Sequence, residues 1–427
     1  WGSDAIAGVI HVFTRDPSAA SSRLHAGSYG RRGASVGAGF GDRDRGLGFT
    51  AGGERLAGFS ATNPLAWGHD PDRDGYRNRS LSLRGRTALG SQRLAFSAIG
   101  TDAQVQFDQG VTDARNSAAG LTLGGDLAAN WSHQLSLGHA REDLDTVSGF
   151  SNAFRSRRTS LDWVNTFAVG GTGQLNLGVN WQEEEGSSTN VFQGEIFSRT
   201  RRSQAGFAAY GARYGAHLLD LSVRHDDSDQ FGGASTASVA WGREIGADTL
   251  VRLGWGEGFR APNFNELYYP DSGFGFAGNP DLAPERSETW EAGLATQPAA
   301  GHQLSLSAYR TRVRDLIAFA APGTNNAINI ARARIEGVEL DYRFDGRRWS
   351  AGGNLAWLDT EDEATGLALL RRARHKAHAS LGYRFDNGLS LGLDGDYGSS
   401  RRDVGGDTAS YALAHLRLAW AFADHWR

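Results

Sequence analysis

Asn387-Gly388-Leu389-Ser390-Leu391-Gly392-Leu393-Asp394 decides the fold. An Asn-Gly pair suits the positive φ angles of a two-residue hairpin turn, and the six residues after it alternate between leucine and a small or polar side chain. Successive side chains of a strand point to opposite faces, so this strand has one aliphatic and one polar face. Leu304-Ser305-Leu306-Ser307-Ala308-Tyr309 and Leu175-Asn176-Leu177-Gly178-Val179-Asn180 repeat the pattern, and Asp345-Gly346, Gly90-Ser91, Gly170-Gly171 and Tyr214-Gly215 supply further tight turns. Every second connection is instead a long polar stretch, near 59–77, 105–117, 143–157, 184–200, 226–234, 258–285, 313–331, 359–371 and 398–409. Short turns at one end and long loops at the other describe a membrane-spanning barrel. A soluble sandwich, propeller or solenoid shares the period of two, so length has to separate them. About twenty segments run from 21–30 to 410–422, many of ten or more residues; a tilted membrane strand needs about 9–11, a soluble strand about 5–6. The expected fold is all-β, a transmembrane antiparallel β-barrel.

Composition narrows the field. No apolar run among the 427 residues approaches the roughly eighteen of a membrane helix. The absence of Cys removes disulfide scaffolds, thiol catalysis and Cys-ligated zinc, and a net charge of −4 leaves no footprint for nucleic acid. There is no Met, even at position 1, which leads us to expect chain before Trp1. Twenty complete strands and a further one opening at Trp426-Arg427 predict a barrel of twenty-two, since single-chain bacterial barrels close on an even number. A lumen that wide is usually plugged.

Three stretches carry a family resemblance. Trp1-Gly2-Ser3-Asp4-Ala5-Ile6-Ala7-Gly8-Val9-Ile10-His11-Val12 resembles the end of the plug domain in TonB-dependent outer-membrane receptors, with Trp for Tyr and His for Asn. Gly258-Phe259-Arg260-Ala261-Pro262-Asn263-Phe264-Asn265-Glu266-Leu267-Tyr268, followed by Gly278-Asn279-Pro280-Asp281-Leu282-Ala283-Pro284-Glu285-Arg286-Ser287-Glu288, is similar to the family's passage between two mid-barrel strands. Ala333-Arg334-Ile335-Glu336-Gly337-Val338-Glu339 resembles its strand re-entering the membrane after a further loop. The resemblance implies residues 1–16 as the end of a plug and 17–427 as a barrel domain truncated before closure. It also implies a monomer in the outer membrane of a Gram-negative bacterium, among its lipid and lipopolysaccharide, energised by TonB through ExbB and ExbD.

Gly75-Tyr76 after Asp70-Pro71-Asp72-Arg73-Asp74, Arg224-His225-Asp226-Asp227-Ser228-Asp229, and Leu369-Leu370-Arg371-Arg372-Ala373-Arg374 resemble the vitamin B12 (cobalamin) receptor branch. Uptake of cobalamin or a related corrinoid is the expected function, with a ferric-siderophore receptor and a passive porin as alternatives. Neither catalysis nor a catalytic cofactor is expected, because no nucleophile motif such as Gly-x-Ser-x-Gly stands in a suitable context.

Asp70, Asp72 and Asp74 put three carboxylates on alternate residues before a glycine, a spacing that suits either a hard cation such as Ca²⁺ or a solvated acidic loop. It is no EF-hand, since the twelfth position is Leu81. The resemblance implies structural calcium held by Asp72, Asp74 and Asp108. Ser60 stands where an aspartate is expected and Phe107 where a tyrosine is, leaving Asp70 and Asp113 as candidates to compensate. Trp67, Phe264, Tyr268, Tyr269, Phe274 and Phe276 are the candidates for packing on a corrinoid face, or else on one another. Trp163, Trp181, Trp255, Trp357 and Trp420 read as interfacial girdle, His375 and His378 as opposite faces of one strand. Glu183-Glu184-Glu185 and the group Asp359, Glu361, Asp362 and Glu363 read as solvated loop charges.

Overall fold

The structure is a computed structural model that describes residues 2–3, 6, 20–42, 44–60, 62, 64, 69–270, 277–319, 327–403 and 406–422. The first ten strands are β1 (Ser21–Gly27), β2 (Arg31–Gly41), β3 (Arg45–Leu56), β4 (Tyr76–Leu89), β5 (Gln92–Phe107), β6 (Gly110–Ala128), β7 (Trp131–Val147), β8 (Asn152–Val169), β9 (Gly173–Asn190) and β10 (Gly194–Tyr214). Then follow β11 (His217–Ser228), β12 (Gly232–Ile245), β13 (Thr249–Arg260), the short helix α1 (Phe264–Tyr268), β14 (Glu285–Thr296), β15 (His302–Phe319), β16 (Ala327–Asp345), β17 (Trp349–Asp362), β18 (His375–Arg384) and β19 (Leu389–Gly398). The hairpin β20 (Arg401–Asp403) and β21 (Gly406–Thr408) stands apart, and β22 (Tyr411–Trp420) pairs directly with β19.

Twenty strands therefore make one antiparallel meander, the barrel wall. Among the described residues, β1 pairs only with β2 and β22 only with β19. The further strand expected at Trp426-Arg427 lies outside the described residues, as does most of the stretch expected to end a plug. Of that stretch Ile6 is placed against the inner face of the wall, its carbonyl accepting from Ser287 Oγ at 2.6 Å.

Register and exposure show the two faces. Leu121, Leu137, Leu161 and Trp181 lie opposite one another across β6 to β9, and all four are exposed. This is the lipid-facing belt that the alternation predicts. Ring pairs gather at the short-turn end: Trp131 with Phe167 (5.5 Å), Trp349 with Tyr383 (4.7 Å) and Trp420 with Phe422 (5.6 Å). Trp163, Trp181 and Trp357 face outward in the belt, and Trp255 packs on Trp290 while donating to Glu288. Gly90 and Gly388 turn with φ of 64° and 81°, in the region that favours glycine.

Several connections expected as long loops are mostly strand. Between β5 and β6 only residues 108–109 turn, between β7 and β8 only 148–151, and between β9 and β10 only 191–193. That expected near 226–234 shrinks likewise, to 229–231, and of the stretch expected near 313–331 residues 313–319 and 327–331 belong to β15 and β16. The cause is physical: once a hairpin rises beyond the lipid, both of its faces are wet, so the apolar alternation stops while the backbone ladder continues. The β9–β10 ladder, for example, runs nine residues past Trp181.

The acidic runs are corrected with it. Glu183-Glu184-Glu185 sits within β9, and Glu184 points inward at 8% exposure. Its carboxylate accepts from Arg158 Nε at 2.8 Å and from Arg201 Nε at 2.9 Å, and Arg201 Nη1 continues to the Pro262 carbonyl at 2.9 Å. Asp359, Glu361 and Asp362 likewise belong to β17; Asp359 pairs with Arg374 and Glu361 with Arg334, both at 2.5 Å. His378 is on β18 and meets Asp396 at 2.9 Å.

Removing one partner of a buried ion pair costs about 3–5 kcal/mol, against at most about 1 kcal/mol for an exposed pair. Glu184→Leu is therefore expected to lower the temperature at which the full-length protein loses its folded electrophoretic mobility, and Glu183→Gln, which breaks only the exposed pair with Arg202, to leave it nearly unchanged. Equal effects of the two substitutions would refute this account.

Candidate functional site: the acidic cluster and the mid-barrel loop

At the long-connection end, the β3–β4 loop is tied to its neighbours through the backbone. Ala57 and Gly58 both donate to the Tyr29 carbonyl, and Gln106 on β5 donates to Gly75 at 2.8 Å. Gly58 has φ of 75°, and a Cβ there would stand 1.9 Å from the Asp74 carbonyl oxygen, so only glycine lets the two limbs of the loop approach. Ser60 closes the loop by donating to the Asp70 carbonyl at 2.9 Å. The β5–β6 tip then turns through Gln109, whose φ is 63°, and delivers Asp108 to the loop.

Asp72, Asp74 and Asp108 thereby bring carboxylate oxygens within 4.8 Å of one another. Both oxygens of Asp108 are buried without a hydrogen-bond partner among the described residues. A buried carboxylate without a donor is unfavourable unless a cation meets it. Three carboxylates form the all-oxygen donor set that a hard divalent cation takes, and the residues therefore fit calcium. Asp72, although it reaches solvent, is held above the usual carboxylate range by desolvation and by the charges of Asp70, Asp74 and Asp108. Asp70 thus acts on the cluster without joining the three-residue group. Asp113 does not join it: it lies on β6 and accepts from Gln104 at 2.9 Å.

The mid-barrel motif builds a second feature. Asn263 caps α1, accepting from the Glu266 amide at 2.9 Å while Glu266 accepts from the Asn263 amide at 2.8 Å, a capping box. Arg260 ends β13 with hydrogen bonds to Glu285 at 2.7 and 2.9 Å and to Glu266 at 3.1 Å, locking helix to strand. Phe264 packs over Gly186, where a Cβ would lie 2.3 Å from the ring, and beneath the Arg201 guanidinium at 5.4 Å. Tyr268 lies near Phe264, Phe197 and Arg199, against a small core of Leu267, Leu282 and Ala327. Tyr269 is half-buried, its carbonyl accepting from Gly278 at 2.6 Å. Phe264 and Tyr268 thus serve to seat the loop, while Trp67, Phe274 and Phe276 lie outside the described residues. Sequence reading missed the brace from Glu184 through Arg201 to Pro262. Its signal was the acidic triplet 183–185 facing Arg199, Arg201 and Arg202 across one turn.

The raised pKa of Asp72 gives the cluster a signed pH dependence. A carboxyl whose folded pKa exceeds its unfolded value stabilises the ordered loop while protonated, and that contribution is lost as pH rises through the folded pKa. In chelator, acidification from neutral pH toward the carboxylate range is expected to slow proteolysis within residues 57–75, and millimolar Ca²⁺ to do the same at pH 7. Faster cleavage on acidification while the barrel stays folded would contradict the crowding of these carboxylates.

Residues 19–427 match the family model described as TonB dependent receptor-like, beta-barrel. The chain is 27% identical to the vitamin B12 transporter BtuB of Photobacterium profundum over 100% of its length and 72% of that protein's. It is also 27% identical to that of Vibrio vulnificus, covering 99% of the chain and 70% of the relative. Among solved structures, the ferric enterobactin receptor PfeA of Pseudomonas aeruginosa superposes with a TM-score of 0.81 at 15% identity, over 99% of this chain and 76% of that one. At that identity the likeness speaks for the fold alone. A twenty-strand wall of outward-facing apolar belt and long-ended hairpins, matched by the family model across nearly all of its length, belongs to the TonB-dependent outer-membrane receptors.

Proposed function

We propose that this receptor takes up cobalamin or a related corrinoid across the outer membrane, with TonB supplying the energy. The observation that carries the reading is the convergence of Asp72, Asp74 and Asp108 from two separate hairpins. It supports the corrinoid branch because the sequence resemblance to that branch implies calcium ligands at these three positions. The 27% identity to two vitamin B12 transporters along essentially the whole chain points the same way. Bound calcium would supply a divalent charge that holds the three carboxylates together. The residues themselves do the rest: Gly58 and Ser60 draw the two limbs of the β3–β4 connection together, and Gln109 turns Asp108 toward them. Farther along the chain, Arg260 and the capping box hold α1 against the ends of β13 and β14, so the ligand meets a preformed edge there.

No bond of the ligand is made or broken in this scheme. Loops capture it, and a plug drawn by TonB opens the lumen to it. Lumen-facing Ser287 and Arg224 mark where Ile6 and Gly2 lie against the wall.

The test is equilibrium binding of cyanocobalamin and of a ferric siderophore to the full-length receptor, in Ca²⁺ and in chelator. Cobalamin is expected to bind, more tightly in Ca²⁺, and Asp108→Asn is expected to abolish the calcium enhancement without abolishing binding. Retention of the iron chelate alone would overturn the corrinoid reading; cobalamin affinity indifferent to calcium would remove the metal from it.

A further inference from the structure

Phe264 and Tyr268 pack on each other, yet another aromatic pair at the long-connection end stays open. Tyr29, in the turn between β1 and β2, and Phe59, in the β3–β4 loop, stand 4.8 Å apart between ring centroids and are 61% and 53% exposed. Tyr29 holds φ of 57°, a left-handed backbone that a residue with a side chain keeps only where its surroundings impose it. Those surroundings are the Ala57 and Gly58 amides, 2.9 and 3.2 Å from its carbonyl oxygen. On the other limb of the loop the Asp74 amide donates to the Phe59 carbonyl at 3.4 Å. The backbone that carries the acidic cluster therefore also sets the Phe59 ring beside Tyr29.

Next to Tyr29 the inner wall is hollow. A cavity of about 810 Å³ is lined by Tyr29, Arg31, His25, Glu54, Asn78 and Ser80. The register sets His25 opposite Gly33, Gly33 opposite Glu54 and Glu54 opposite Asn78. Gly33 and Asn78 stand three residues from the exposed Val36 and Leu81 of the lipid-facing belt, an odd step that turns this row to the lumen. A Cβ at Gly33 would lie 2.4 Å from the His25 ring, so glycine lets the imidazole fold against the wall. Glu54 is engaged, accepting from Arg31 Nε at 2.6 Å, and its other oxygen is 3.8 Å from His25 Nε2, beyond hydrogen-bond range. Outside the acidic cluster, the buried side-chain polar atoms without a hydrogen-bond partner among the described residues are both ring nitrogens of His25, Asn78 Oδ1 and Asn265 Oδ1. Three of these four belong to residues that line this one cavity.

We infer that the cavity and the Tyr29–Phe59 pair form a subsite for the imported ligand, a macrocycle with apolar faces and a rim of carboxamides. Tyr29 and Phe59 pack on a ring face, and His25 and Asn78 meet the rim, where each carboxamide both donates and accepts. An amide answers Asn78 Oδ1 with an N–H, which a carboxylate lacks. The volume lies within the about 300–1,000 Å³ of ligand cavities, room for one edge of the ring. This subsite rests on the corrinoid reading and supplies the link by which calcium tightens binding: the cation holds the loop limb that presents Phe59.

The full-length receptor would be titrated with cyanocobalamin in saturating Ca²⁺, and calcium affinity measured on the same variants. Tyr29→Asn removes the ring and keeps the left-handed backbone, which asparagine tolerates. Combined with Phe59→Ser it should weaken cobalamin binding roughly a hundred-fold, about ten-fold for each ring, and leave calcium affinity near the wild-type value. Asn78→Leu should cost about five-fold. At least one of the b-, d- and e-monocarboxylic acids of cyanocobalamin should bind wild type more weakly than the parent does, and Asn78→Leu should narrow that gap. Phe192→Ser, which removes an exposed ring from the β9–β10 turn, should change nothing. Heat-shifted gel mobility checks that each variant folds. Wild type that takes no cobalamin would defeat the corrinoid reading and this subsite with it. Wild-type binding that the folded Tyr29→Asn, Phe59→Ser variant retains undiminished would overturn the subsite alone. Joint loss of calcium and cobalamin binding would do the same, by making the two rings supports of the loop, as would equal binding of the parent and all three acids by wild type.

Discussion

Everything in this molecule depends on keeping the backbone hydrogen-bonded where no water can reach it. In hydrocarbon an unpaired N–H or C=O is prohibitive, so a chain without a sufficiently long apolar helix must pass as neighbouring strands that satisfy one another. Among the described residues no helix is long and apolar enough to cross a membrane, and the strands pair in unbroken antiparallel succession. That ladder fixes the register, and the register fixes every face: Leu121, Leu137, Leu161 and Trp181 toward lipid, Glu184, Arg201 and Ser287 toward the lumen.

The wall was legible in the sequence because lipid imposes a pattern. Leu389 to Asp394 alternates since one face meets hydrocarbon and the other the lumen, and Asn387-Gly388 announces the turn. The extensions were not legible for the complementary reason. Residues 110–117 and 184–190 are as regularly paired as any, yet nothing apolar is required on either side of them. Their polarity looked like loop, and the error was confined to that zone: strand number and order stood, while strand ends moved outward.

The site divides in the same way. Asp70, Asp72 and Asp74 are adjacent in sequence and visible as a group, but Asp108 enters only because β4 and β5 bring its tip back to the β3–β4 loop. A family resemblance supplied that link; spacing alone does not contain it. The brace from Glu184 through Arg201 to Pro262 escaped notice because acidic runs are ordinarily solvated. What reversed that expectation was the neighbouring strand, whose Arg201 lies opposite Glu184 on the lumen side.

Placement of charge then separates what the chain does for itself from what it does for others. Glu184 has two arginines, Glu285 has Arg260 and the Ile317 amide, and Asp394 has Arg417. Against this habit of pairing, the mouth sets like charge against like, where Asp72 is crowded by Asp70, Asp74 and Asp108. Self-repulsion of this kind weakens the isolated chain and is relieved by an opposite charge from outside it. A cation fits that position, at the boundary where the chain meets the surrounding solution.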